Sequence, residues 1–70
     1  MMSIARQTKF YIEKMRSEAV ERCNKVFEFN DMVNIGKEMN LQVGDFKHFL
    51  EKLNSSGILI MKPNKMWELI

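Results

Sequence analysis

Two amphipathic helical patterns in this chain are joined by a turn of only four residues, 41–44, and this connection severely restricts the possible folds. The pattern before the turn places apolar side chains at helical spacing between residues 32 and 39, and the pattern after it continues to residue 55. Four residues are too few for the crossover that joins two parallel strands. Two helices joined by so tight a turn are typical of a helix-turn-helix unit.

The end of the chain predicts a β-hairpin. Residues 57–61 and 66–70 are short apolar runs, and a turn containing a proline and an asparagine, 62–65, separates them. Residues 26–29 alternate apolar and charged side chains, which indicates a further short strand. The sequence therefore predicts an α+β winged helix: three helices, a short strand and a C-terminal β-hairpin as the wing.

A first helix is predicted from side chains spaced by three or four residues along residues 4–26. The members of this stripe are Ile4, Thr8, Ile12, Met15, Ala19, Cys23 and Val26. A thiol on such a stripe is expected to be buried and inert. We interpret residues 1–14 as an N-terminal helical extension or linker that packs outside the core, and residues 15–70 as the winged-helix domain.

Composition excludes several classes of function. Seventy residues form one small domain, and a single cysteine cannot form an internal disulfide. One cysteine and one histidine are too few for the usual zinc sites, so no metal or other cofactor is expected. No apolar run approaches the roughly 20 residues of a membrane span, so no membrane contact is expected. The chain also lacks the G-x-x-x-x-G-K-[ST] phosphate-binding loop, and we expect it to have no catalytic activity of its own.

The charge of the chain is small and unevenly distributed. The formal net charge is +2, with +3 in residues 1–26, −2 in residues 27–56 and +1 in residues 57–70. Affinity for nucleic acids comes largely from cations that meet phosphates. This balance predicts weak, largely sequence-independent contact with DNA, whereas the acidic middle of the chain favours a protein partner.

One stretch of the sequence resembles a known family. Residues 21–22, 27–29 and 35–46, the last reading IGKEMNLQVGDF, resemble the C-terminal winged-helix domain of the minichromosome maintenance (MCM) DNA helicases, most of all that of the eighth paralogue. The resemblance continues through the hairpin and covers residues 18–69. It implies an accessory domain of a hexameric, ATP-driven DNA motor of the nucleus that is involved in homologous recombination and DNA repair. The ATPase part of such a protein lies outside this chain, and other MCM subunits, especially the ninth paralogue, are the implied protein partners.

Two groups of residues are candidates for DNA contact. In helix-turn-helix proteins the second helix enters the major groove, and here its outward side carries Lys47, His48 and Lys52. The wing supplies Lys62, Asn64 and Lys65 around its turn. Plainer interpretations exist for both, because Lys47 can pair with Glu51 on a solvated face, and lysines at a hairpin also keep a sheet edge soluble.

Protein docking without DNA contact is the alternative function. Phe10 and Tyr11 would form an exposed aromatic patch if the first part of the helix lies outside the core. Such a domain would bind an MCM subunit, or it would belong to another nuclear or scaffold protein, such as a transcription factor or a cullin-type scaffold.

Overall fold

The computed structural model describes residues 3–70 and places three helices beside a small antiparallel sheet. The elements are α1 (Ile4–Arg22), β1 (Val26–Phe27), α2 (Phe29–Glu38), α3 (Phe46–Ser55), β2 (Leu59–Lys62) and β3 (Met66–Leu69), with a 3₁₀ turn (Pro63–Lys65) between the last two strands. The strand order is β1-β3-β2, so the hairpin β2–β3 is extended by β1 on the side of β3. This architecture confirms the predicted α+β winged helix.

The short strand ends earlier than the sequence pattern predicts. β1 contains only Val26 and Phe27, which lie opposite Glu68 and Trp67 of β3. The backbone N–H of Glu28 donates to the carboxylate of Asp31 at 3.1 Å, and this bond starts α2 at Phe29. Asn30 and Asp31 are residue types that commonly cap a helix, so the sequence predicts a cap at one of them. This prediction is wrong, because Glu28 is the N-cap residue and Asp31 acts from the first turn.

The buried face of α1 differs from the predicted stripe. The residues of α1 that face the core are spaced by four: Gln7, Tyr11, Met15 and Ala19. Ile4, by contrast, is 57% exposed. The expectation that residues before 14 pack outside the core is wrong for Gln7 and Tyr11. A division of the chain at residue 14 stays a prediction, and α1 crosses it without a break.

Tyr11 is a central residue of the core and not part of an exposed patch, so its prediction as a partner-binding residue is corrected. Its side chain is fully buried, and its hydroxyl donates to the backbone carbonyl of Met32 at 2.9 Å. Its ring makes edge-to-face contacts with Phe46 and Phe49, at centroid distances of 6.1 and 5.2 Å. Burial raises the pKa of this hydroxyl, so it keeps the proton that it donates. Tyr11 thus holds α1 to both α2 and α3.

Cys23 is exposed, which contradicts the predicted buried thiol. α1 ends at Arg22, and Cys23 takes a left-handed backbone conformation with φ 54°. This turn of the backbone carries the side chain off the helical stripe, which is why periodicity placed it wrongly.

Residue type and alternation in the sequence predict a cap at Ser3, a helix end at Asn40 and burial of Trp67, and the structure confirms all three. Ser3 accepts a hydrogen bond from the backbone N–H of Arg6 at 3.2 Å and so caps α1. Asn40 takes the left-handed conformation with φ 55°, just after the end of α2. Trp67 is buried in the core, as the alternation along its strand predicts. These features depend on adjacent residues in the chain, so sequence alone specifies them.

The connection from α3 to the wing requires a glycine. Gly57 has φ +79°, a conformation that L side chains rarely adopt, although an added Cβ would meet no atom within 4 Å. Gly57→Ala is therefore expected to lower the free energy of unfolding by about 1–2 kcal/mol. Gly44→Ala is the matched control, because a Cβ there also meets nothing within 4 Å and its φ is not positive. Urea denaturation measures both, and equal midpoints for the two variants would contradict the prediction.

Candidate nucleic-acid interface

The exposed side of α3 carries the first group of predicted DNA contacts. Phe49, Leu50 and Leu53 are buried, and this leaves Lys47 and His48 on the outer surface of the helix. His48 and Lys52 are both exposed and border a depression that Ile4 and Thr8 of α1 also line, whereas Lys47 does not line it. The structure therefore places all three predicted contact residues of α3 in solvent, where phosphates can reach them.

The acidic residues of α3 differ in their roles. Asp45 is the N-cap, and its carboxylate accepts a hydrogen bond from the backbone N–H of His48 at 3.2 Å. This places its negative charge at the positive end of the helix dipole, where it is partly compensated. Glu51 is exposed, and within residues 3–70 neither Lys47 nor Lys52 forms an ion pair with it or with any other acid. The two lysines of α3 are thus available for an external anion.

The wing is built around a tight turn at its tip. Pro63 starts the turn, and Asn64 and Lys65 follow with φ of 66° and 61°. Asparagine tolerates this left-handed conformation better than most side chains, and it allows the short reversal between β2 and β3. Asn64 and Lys65 are both exposed. They form the projecting end of the hairpin, where a backbone phosphate is accessible.

Lys62 differs from the other wing residues because it has an internal partner. It lies at the end of β2 opposite Met66, and its Nζ is 3.1 Å from Oε1 of Glu68. A cross-strand pair of this kind holds the ammonium group along the sheet. A role for Lys62 in binding phosphate stays a prediction, and the structure gives Lys65 the more accessible charge.

The two groups of candidate residues lie on separate elements. α3 and β2 share the core through Leu53 and Leu59, which fixes the helix relative to the wing. Among the described residues, no hydrogen bond or ion pair joins the side chains of Lys47, His48 and Lys52 to those of the wing. The structure therefore provides two independent sets of cations on one rigid unit.

Two further cations of the described chain, Lys14 and Arg22, are engaged internally. Lys14 lies 3.2 Å from Glu38, and Arg22 lies 3.6 Å from Asp31. The guanidinium of Arg22 also lies 4.6 Å from the centre of the Phe27 ring. These residues connect α1 to α2 and β1 and contribute little charge to the outside.

Sequence reasoning missed an exposed flank of α1. Arg16 and Lys25 border a surface depression there with Val20 and Ile70. The predicted stripe assigned the neighbouring Ile4 and Thr8 to the core, so this flank was not recognised. Spacing alone does not identify the true buried face, which is Gln7, Tyr11, Met15 and Ala19, because residues 4, 8, 12, 16 and 20 have the same spacing of four.

Two other classes of site, a metal centre and a membrane span, are not found within residues 3–70. No three side chains of histidine, cysteine, aspartate or glutamate come close enough to one another there to hold a metal ion. The same residues include no helix with the length and apolar character to cross a membrane. Phe10 is 42% exposed, as predicted, and its role in binding a partner stays a prediction.

The fold and its outward cations define the class of protein as a winged-helix domain. The family profile of the MCM8 winged helix domain matches residues 1–70, and the chain belongs to this family. Similar curated relatives are the DNA helicase MCM8 of Rattus norvegicus, 37% identical over 68 residues, and that of Homo sapiens, 35% identical. The corresponding protein of Gallus gallus is 29% identical. Each alignment covers 97% of this chain and 8% of the relative, so the chain spans a small part of the proteins that it matches.

Proposed function

We propose that this chain is an accessory domain of an MCM8-type DNA helicase and that it binds DNA weakly and without strong sequence preference. The observation that supports the proposal most directly is that Lys47, Lys52 and Lys65 are exposed and form no ion pair within residues 3–70. Three such cations on a rigid helix and wing suit the spaced phosphates of a nucleic-acid backbone.

The side chains of α3 favour phosphate contact over base recognition. Arg offers a planar fork to guanine, and Asn or Gln offers a planar amide to adenine, and the first two turns of α3 contain none of these three residue types. Lys47 and Lys52 provide point charges, and His48 provides one further polar contact. We infer that the domain positions or retains DNA for the motor and does not select a sequence.

The proposed setting follows from the relatives that share this domain. Those relatives are named DNA helicases, and we infer that the parent protein is an ATP-dependent helicase of the nucleus that acts in homologous recombination and DNA repair. The alternative is regulation through contact with other MCM subunits, the ninth paralogue above all. Phe10, an aromatic ring that is 42% exposed on α1, is the feature that supports this alternative.

The test is an NMR titration of the ¹⁵N-labelled chain with single- and double-stranded DNA at two salt concentrations. We expect chemical-shift changes in residues 43–55 and 62–65, and weaker binding at the higher salt because released counterions drive the association. The absence of any shift at low salt would reject DNA binding. Shifts around Phe10 on addition of an MCM subunit, without shifts on addition of DNA, would support the docking alternative.

A further inference from the structure

A long groove lies along one flank of α1. Three adjoining depressions of about 420, 380 and 400 Å³ form it: Thr8 and Ile58 line both the first and the second, and Arg16 lines both the second and the third. We call this continuous surface the α1 groove, and its aliphatic lining includes Ile4, Ile12, Val20, Ile58 and Ile70. At 1.5 Å per residue, the part of α1 from Ile4 to Val20 is about 24 Å long.

The wall opposite α1 is made of two short segments that are joined to each other. Ile58 follows α3 and Ile70 follows β3, and the backbone N–H of Ile70 donates to the carbonyl of Ile58 at 3.0 Å. The N–H of Leu69 similarly donates to the carbonyl of Lys25 at 2.9 Å. The groove is therefore a formed surface between a straight helix and a hydrogen-bonded sheet end.

The aliphatic side chains of the groove are unusually open to solvent. Ile4 is 57% exposed, Val20 is 77% exposed and Ile70 is 58% exposed. Single exposed apolar residues are ordinary, but a contiguous series along one groove marks an interaction site. The aliphatic lining offers few hydrogen-bond donors to phosphates, so this surface favours a protein occupant over DNA.

The charges at the rim indicate the chemistry of that occupant. Four cations border the groove: Lys9, Arg16, Lys25 and Lys52. None of them forms an ion pair within residues 3–70. The acids at the rim are Glu13 and Asp45, and Asp45 is already engaged as the cap of α3. An apolar surface with a predominantly basic rim is complementary to an acidic amphipathic segment.

We propose that the α1 groove binds an acidic amphipathic helix of a partner protein. Aliphatic side chains at positions i, i+3 or i+4 and i+7 of that helix would contact Ile12, Val20 and Ile70. Its flanking Glu and Asp residues would meet Arg16 and Lys25. A groove of about 24 Å matches a helix of about 16 residues, at 1.5 Å per residue. His48 and Lys52 border this groove and also belong to the proposed DNA surface, whereas Lys47 and the wing do not line the groove. The proposal does not depend on the proposed function, because Arg16, Val20 and Ile70 are not part of the DNA surface.

The probe is a synthetic 18-residue helical peptide of leucine, alanine and glutamate, and the control peptide has lysine in place of every glutamate. We expect the acidic peptide to shift the NMR signals of Ile12, Arg16, Val20 and Ile70 and to leave those of Lys47 unchanged. No shift at millimolar acidic peptide, or equal binding of the lysine peptide, would overturn the proposal. Shifts of these groove residues with duplex DNA but not with the acidic peptide would assign the groove to nucleic acid and also overturn it.

Two variants with matched controls test which contacts carry the binding. Val20→Asp places a charge in the groove at a position that is 77% exposed, and its control is Met61→Asp on β2, where the side chain is 52% exposed. The double variant R16E/K25E reverses the rim, and its control is K37E/K65E, which changes the net charge equally outside the groove. Each groove variant is expected to weaken peptide binding at least fivefold relative to its control. Equal losses in variant and control would show that binding is not specific to the groove.

Discussion

Tyr11→Ala is expected to lower the free energy of unfolding by about 3–5 kcal/mol, the usual cost of removing a buried aromatic side chain. Small domains have only roughly 0.05–0.15 kcal/mol of stability per residue, so this loss leaves the variant largely unfolded or close to it. The ring is fully buried between α2 and α3, and neighbouring Phe46 and Phe49 rings would lose their edge-to-face contacts. Urea denaturation followed by circular dichroism measures the change.

Two further variants separate the contributions of the ring and the hydroxyl. Tyr11→Phe keeps the ring and removes the hydrogen bond to Met32, so it is expected to cost about 1 kcal/mol. Phe10→Ala, the adjacent aromatic residue on the same helix, is 42% exposed, and its cost is expected to stay below that of Tyr11→Ala by about 2 kcal/mol or more. Similar costs for Phe10→Ala and Tyr11→Ala would show that the two rings share one environment and would contradict the structure.

Phe10 is partly exposed and Tyr11 is buried, and the sequence alone could not show which face of α1 packs against the core. Two helical stripes pass through Met15 and Ala19, one continuing to Ile12 and the other to Tyr11. Apolar character alone favours the first stripe, because the second includes Gln7. In the structure the amide oxygen of Gln7 accepts a hydrogen bond from the backbone N–H of Gln42 at 2.7 Å. This hydrogen bond offsets the cost of burying the polar side chain. Such a bond joins residues 35 positions apart, so no local pattern reveals it.

Features set by neighbouring residues were predictable. The cap at Asp45 and the alternation at Trp67 each depend on a few consecutive residues, and the structure confirms them. The predicted turn at 41–44 is too short, because α2 ends at Glu38 and α3 begins at Phe46, so the connection spans residues 39–45. The same reasoning correctly predicted that Lys47 and Lys52 are exposed, because helical periodicity places them outside the buried face of α3.

Charge pairing across the wing was not predictable from spacing. Residue 62 lies opposite Met66 and residue 60 lies opposite Glu68, so Lys62 and Glu68 are diagonal neighbours on the sheet. This register depends on the geometry of the turn at Pro63–Lys65. The turn therefore determines which wing lysine has an internal partner, and Lys65 is the one whose ammonium group forms no ion pair among the described residues.

The charge-reversed triple variant K47E/K52E/K65E is expected to lose DNA affinity at least tenfold at low salt. Each lysine that meets a phosphate releases about one counterion, so the slope of log affinity against log salt should fall by about three in magnitude. The matched control is K9E/R16E/K25E, which changes the net charge equally on the α1 side of the domain. Fluorescence anisotropy with a labelled duplex at several salt concentrations measures both affinity and slope. Equal losses in the two triple variants would show that only net charge matters and would exclude a defined DNA surface on α3 and the wing.

Single substitutions in the wing give a finer prediction from the same geometry. Lys65→Gln removes a cation that forms no ion pair within residues 3–70, whereas Lys62→Gln removes one that Glu68 already holds at 3.1 Å. Breaking that exposed pair is worth at most about 1 kcal/mol, so both variants should remain folded. We expect Lys65→Gln to reduce the salt slope by about one and Lys62→Gln to change it less. A larger effect at Lys62 would contradict this prediction. It would mean that DNA displaces Glu68 and that Lys62 contacts the phosphates directly.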